Sequence, residues 1–351
     1  MTAIPTIQES NESASMASNE MSGVPEDTAR LIQEVLSELG WSANASTIAK
    51  QVHRLNIGLQ CEDEFSVVCA WLGRCQLIHK LDQQQVPITS REQFQVPDLL
   101  AMFSPQVTLS PVLIEVKSNT KQTLSFRPDY LKRLQNYAAL LGLPLLIAWK
   151  HHSFWVMFEA RHLRKAHKNF NISLDRASQE NLLGVLAGDV SYKVGKGAGV
   201  HLSLRKQKLL NQEVTGNEYT QDWQVLVESI TFSDYEGALR TDLNAEIQSL
   251  FASFELEQRV EHTTTHIYHH FVAGPEPWGM QFAHSALVRL LNWESPDENT
   301  PQWRRLLKKE QITKNIQDFT STLSTALDQK IVSHIFHQVP LTEPAFLLPQ
   351  P

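Results

Sequence analysis

The residues of this chain best suited to chemistry are Asp98, Glu115 and Lys117. Asp98 follows Pro97 and opens the apolar run Leu99-Leu100-Ala101-Met102-Phe103, while Glu115 and Lys117 end a second apolar run that begins at Val112. Read as a strand, 112–117 alternates: Val112, Ile114 and Val116 point one way, and Leu113, Glu115 and Lys117 the other. An acid and an amine therefore project side by side. If the two runs pair as a hairpin, Asp98 meets Glu115, and two carboxylates at close quarters offer hard oxygen ligands to Mg²⁺. The lysine is then placed to orient an attacking water or to neutralise a phosphate. That chemistry is metal-dependent hydrolysis of a phosphodiester.

Several elements must hold that trio in place. After Lys117 come Ser118-Asn119, a helical pattern from Tyr130 to a stop at Gly142, and the apolar strand Pro144–Lys150, so the order is strand, helix, strand. Phe154–Phe158 is a further strand. Gln76–Lys80 is a short one, 81–92 reads as a polar loop, the first site strand begins near Phe94, and Val107–Ser110 lengthens the hairpin. Upstream, Glu62 to Gly73 reads as a helix whose buried face is Phe65, Val68, Cys69 and Leu72. Glu62, three residues before Phe65, can reach inward at the first turn, whereas Glu64 sits roughly a hundred degrees round the helix from Phe65. Glu62 is therefore the acid expected near the metal, although acids also favour helix N-termini for the dipole alone.

The pattern Pro97-Asp98, a gap of 16 residues, then Glu115-Val116-Lys117, with strand, helix and strand in that order, resembles the PD-(D/E)xK nuclease superfamily. Gly58-Leu-Gln-Cys-Glu62-Asp-Glu64-Phe65 is similar to the opening of the helix that supplies the first acid in its archaeal Holliday-junction-resolvase-like branch. The resemblance covers about residues 55–160. It implies a restriction-endonuclease-like α/β fold, a mixed sheet flanked by helices. It also implies Glu62, Asp98 and Glu115 as metal ligands, Lys117 as the catalytic amine, and Mg²⁺ as cofactor with Mn²⁺ able to substitute. A homodimer follows from the need to cut two strands, and Gln135 falls where some branches have a glutamine lining the site.

Composition fits such a protein. The 351 residues are 42% hydrophobic and 20% charged, and no apolar run approaches the ~20 residues of a membrane span. The N-terminus lacks the basic start and apolar core of a signal peptide. Three cysteines, Cys61, Cys69 and Cys75, form neither a disulfide framework nor a zinc pattern; they read as buried thiols, and the expected location is cytoplasmic. The net charge is −7, yet between Glu115 and Lys168 ten Lys/Arg stand against three acids. A basic stretch beside two carboxylates suits a phosphate backbone, most readily DNA, with Lys121, Lys132, Arg133 and Lys150 as contacts. His79 and Lys80 could face the same ligand, a lone histidine being more often packed.

The organisation read from the chain is a disordered tail at 1–25, a nuclease-like domain at 26–165, a C-terminal α+β domain of unassigned role at 166–339 and a tail at 340–351. Helices are expected from Pro25 to Gly40, from Asn44 or Ser46 past Leu55, over 241–257, from Gln281 to Trp293 and from Ile312 to Val332. Strands are expected at His201–Leu204 and Trp223–Phe232. The second half is where a protein partner or a second copy could dock. The glycine-rich 195–199 lacks the Lys-Ser/Thr of a phosphate-binding loop and reads as a turn. In His262-Thr-Thr-Thr-His266-Ile-Tyr-His269-His270, His266 and His270 are spaced for zinc on a helix, but the threonines favour a strand. Two other functions stay open beside the nuclease. One is a catalytically idle fold that binds nucleic acid or serves assembly. The other is a metallo-hydrolase built on those histidines.

Overall fold

The computed structural model describes residues 45–83, 85–104, 111–215, 218–274, 280–293, 303–313 and 315–346. The chain divides into two compact units, Met1–Gln60 and Cys61–Pro351. In the first, the described part is helical from Ala45 onward. The tail 1–25, the helix expected from Pro25 to Gly40 and the strand extension at Val107–Ser110 lie outside the described residues.

Helix α1 (Ala45–Trp71) is continuous over 27 residues, where two helices were expected, one from Asn44 or Ser46 past Leu55 and one from Glu62 to Gly73. A glycine inside a helix costs only about 1 kcal/mol relative to alanine, and no proline interrupts the hydrogen-bond ladder. The helix stops before Gly73, which adopts φ +106°, a conformation other residues resist.

The second unit is built on a five-stranded mixed sheet of β1 (Cys75–Lys80), β2 (Leu99–Phe103), β3 (Val112–Ser118), β5 (Leu145–His151) and β6 (Phe154–Glu159), in that order. β2 pairs antiparallel with both β1 and β3, β3 runs parallel to β5, and β5 pairs antiparallel with β6. Helix α2 (Pro128–Leu141) makes the crossover that parallel neighbours require. Pro128 starts it at a position where its missing N–H is no loss, and Gly142 at φ +66° ends it. β4 (Thr123–Phe126), β7 (Arg164–Ala166) and β8 (Asn169–Ser173) form a small separate sheet. This is the mixed α/β sheet flanked by helices that the sequence led us to expect.

The two faces of the main sheet feed different cores. Leu113, Ile147, Trp149 and Phe158 pack with Leu131 and Leu134 of α2. On the other face, Val112, Ile114, Val116, Trp155 and Met157 join Phe65, Val68 and Leu72 of α1. That second cluster continues without a break into Leu186, Leu250, Leu290 and Phe319, so the two halves drawn at residue 165 share one interior.

Beyond residue 173 come α3 (Leu174–Gln179), α4 (Leu183–Ala187) and β9 (Ser191–Val194). Then a long hairpin of β10 (Gly199–Thr215) and β11 (Glu218–Ser233) forms a five-stranded antiparallel sheet with β12 (Leu239–Arg240), β13 (Glu257–His262) and β14 (His266–Val272). The helix expected over 241–257 is shorter, α5 (Ala245–Leu250). Asn244 caps it by accepting the Ile247 amide at 2.9 Å, a 3₁₀ turn follows, and the chain is extended by Phe254. Helix α6 (Ala283–Trp293) follows the short strand β15 (Met280–Phe282), and Trp303–Leu306 forms a single helical turn, α7. The helix expected from Ile312 to Val332 is α8 (Phe319–Asp328), opened by the Asp318 side chain and closed before Val332, which instead starts β16 (Val332–Phe336) on β9. No helix among the described residues is long and apolar enough to cross a membrane.

Candidate active site

The β2–β3 pairing decides the geometry. Leu99 faces Ile114 across the ladder, so the next step of the register sets Asp98 beside Glu115. Asp98 Oδ2 accepts the Val116 amide at 2.7 Å, which locks the carboxylate across the strand pair. Glu115 is fully buried. Its Oε1 accepts from the Lys117 ammonium and from the Tyr130 hydroxyl, the latter at 2.5 Å, while Oε2 is buried without a partner. Lys117 also donates to the Val116 carbonyl at 3.0 Å and lies 5.5 Å from the centre of the Tyr130 ring.

The electrostatics follow from crowding. Burial, then the charge of Glu115, push the Asp98 carboxyl well above its ordinary value. Burial alone would lower Lys117, but the carboxylates of Glu115 and Asp98 outweigh it and hold the ammonium firmly protonated. Burial also raises Glu62, against the pull of Lys80. The partnerless Glu115 Oε2 beside Asp98 is the kind of hard-oxygen donor set that a divalent cation satisfies, so the residues present fit such an ion.

Glu62, expected as a third ligand, is turned toward Lys80, with Oε2 3.1 Å from Nζ, and Asp63 shares the same ammonium at 2.8 Å. Among the described residues no three His, Cys, Asp or Glu side chains converge as a metal cluster. The acids that lie side by side are therefore two. Glu64, expected to face away, is buried: it accepts from the Trp155 indole at 3.0 Å and from Lys150 at 2.5 Å.

Lys150, expected as a nucleic-acid contact, is half-buried and paired with Glu64. Arg133 is likewise engaged, donating to the Arg91 carbonyl at 2.8 Å. Lys121 and Lys132 are exposed, as are His79 and Gln135. Lys80 is half-buried in its carboxylate pair. His266 and His270 sit on strand β14, not on a helix; His270 bonds His201 at 2.8 Å, and His266 bonds Glu228 at 2.8 Å. The zinc pair that helical spacing offered is therefore not formed. Tyr130 escaped sequence reasoning as a site residue. Its one signal was its place in the first turn of the helix that returns from the Lys117 strand.

With this geometry in view, the comparison with known families is direct. Residues 88–188 match the family model of the archaeal Holliday junction resolvase (Hjc). The matched stretch contains Asp98, Glu115, Lys117 and Tyr130, agrees with the resemblance read from the sequence, and leaves out Glu62. A solved structure of Hjc from Archaeoglobus fulgidus, a Holliday junction resolvase from an archaeal hyperthermophile, is 23% identical over 28% of this chain and 74% of that chain, with a TM-score of 0.24. No curated protein matches the chain.

Proposed function

We propose that this protein is a divalent-metal-dependent nuclease that hydrolyses phosphodiester bonds in DNA, with branched DNA as its preferred substrate class. The observation that carries the reading is the Asp98–Glu115 pair across β2 and β3, with Glu115 Oε2 buried and partnerless and Lys117 on the same strand. The match of residues 88–188 to a junction-resolvase family supports the choice of substrate.

In this reading Asp98 and Glu115 hold the ion, Mg²⁺ or Mn²⁺. When bound, the ion supplies positive charge for the scissile phosphate and makes water more acidic. Lys117 exchanges its bond to Glu115 for one to the phosphate and stays charged while doing so, because both carboxylates favour its protonated form. Glu62 contributes negative charge from helix α1, with Lys80 as its counter-ion. The exposed Lys121 and Lys132 meet the DNA backbone. Two such sites in a homodimer would cut the two strands of a junction.

The test is cleavage of linear, nicked, single-stranded and four-way-junction DNA with Mg²⁺, Mn²⁺ or EDTA, running the wild type beside Asp98→Ala and Lys117→Ala. Metal-dependent cutting lost in both variants is the expected result. Binding without cutting of any substrate would instead favour an idle nuclease fold.

A further inference from the structure

Tyr130 is the one neutral donor on the candidate ligand Glu115, and its placement is built in. Pro128 opens α2 two residues earlier, so Tyr130 lies in the helix's first turn. Its ring stacks on Phe126, with centroids 6.2 Å apart at 23°. The hydroxyl donates to Glu115 Oε1, the same oxygen that Lys117 binds, and Oε2 is left without a partner.

Both donors therefore converge on one oxygen and turn the other toward an outside ligand. They are not equivalent. Lys117 is a part-exposed amine that a phosphate can draw off, whereas Tyr130 is held by its helix and by Phe126. With Lys117 drawn off, the Tyr130 hydroxyl is the donor that still keeps the carboxylate from rotating.

We propose that Tyr130 is a positioning residue that fixes the Glu115 carboxylate so that Oε2 remains presented to a divalent cation, including while Lys117 engages a phosphate. This rests on the reading of Asp98 and Glu115 as the metal pair. Hydrogen bonds that orient a ligating carboxylate are worth on the order of ten-fold in metal affinity.

The probe is Mn²⁺ added to the full-length protein without DNA, read as the rise in melting temperature that ligand binding produces. Wild type, Tyr130→Phe and Asp98→Asn are compared. Tyr130→Phe keeps the ring and its stacking and removes only the hydroxyl. It should melt near the wild type without metal and need roughly ten-fold more Mn²⁺ for the same rise. In cleavage, its rate should recover at saturating metal, a split that a general loss of stability does not produce. An unchanged Mn²⁺ midpoint in Tyr130→Phe, with the Asp98→Asn response abolished, would overturn the role of Tyr130 and leave the metal pair standing. A wild type that does not respond to Mn²⁺ at all would overturn both.

Discussion

Asp98 Oδ2 lies 2.7 Å from the amide nitrogen of Val116, the residue after Glu115. One hydrogen bond thus fixes the separation of two acids, Glu115 fully buried and Asp98 half-buried, that would otherwise repel. The cost shows in Asp98, raised by burial and by Glu115. An unfolded carboxyl ionises near pH 3.9. Between that value and the raised folded one, only the unfolded state gives up its proton, so stability falls as pH rises through this window. An asparagine carbonyl can keep the Val116 bond without the charge. Asp98→Asn should therefore be more stable than wild type at pH 7 in EDTA, with the difference vanishing toward pH 4. Urea midpoints at the two pH values measure this, and a less stable variant at pH 7 would contradict it.

Lysines near the site should separate into two classes. Lys150→Met strands the buried Glu64 carboxylate. It should cost about 2 kcal/mol, less than the roughly 3–5 of a fully buried pair, because the lysine is part-exposed. Lys121→Met and Lys132→Met should leave stability alone and each reduce the salt dependence of DNA binding by about one ion. Thermal melts and salt-titrated binding distinguish the two, and a stable Lys150→Met would remove the distinction.

A strap from Gln338 to Ala345 is held on buried carboxylates. Thr342 donates to Glu180 through its amide and hydroxyl at 3.0 and 2.8 Å, the Ala345 amide reaches Glu159 at 3.3 Å, and Arg161 donates to the Glu343 carbonyl at 2.7 Å. Burial pushes Glu159 up, but His162, Arg161 and the Ala345 amide outweigh it and hold it below its ordinary value. Its stabilising share is present above the unfolded glutamate value, near pH 4.3, and is lost as pH falls through the lower folded one. A chain ending at His337 should unfold at higher pH on acid titration than the full chain. Coincident acid transitions, followed by circular dichroism, would refute this.

His284 joins three elements at zero exposure. Its Nε2 accepts the Trp155 amide at 3.2 Å, which leaves Nδ1 to donate to Asp189 at 2.7 Å. His284→Ala empties the position and removes one donor from a buried carboxylate, so a loss of about 2–4 kcal/mol is expected. A drop in the denaturant midpoint at constant slope checks it; less than about 0.5 kcal/mol would mean that the network carries no weight.

The candidate-site hairpin β2–β3 was legible because alternation along β3 sets Glu115 and Lys117 on one face and Ile114 and Val116 on the other, and a slip of one residue would reverse them. Glu64 was misread for the opposite reason. Every residue from Glu64 to Cys69 is buried, so this end of α1 has no solvent face from which to assign a side chain. Tyr130 looked like an ordinary residue of a helix's first turn, and only the fold brings it to Glu115. Of the hairpin β10–β11, the expected strands covered most of β11, at Trp223–Phe232, but only His201–Leu204 of β10. From Arg205 to Glu213 most of β10 is exposed, and without a buried face there is little periodicity to read.

The shared interior has a bearing on how this protein can change over time. Phe65 and Trp155, on the sheet that carries Asp98 and Glu115 or packed against it, lie in the same cluster as Leu290 and Phe319, which come more than a hundred residues later in the chain. The segment that carries Asp98 and Glu115 is thus not a self-contained cassette, because cutting it away would remove part of the apolar packing on the α1 side of its sheet. The leucines and phenylalanines of the later residues are therefore part of the same interior that backs the strands of Asp98 and Glu115, and the two cannot be repacked independently.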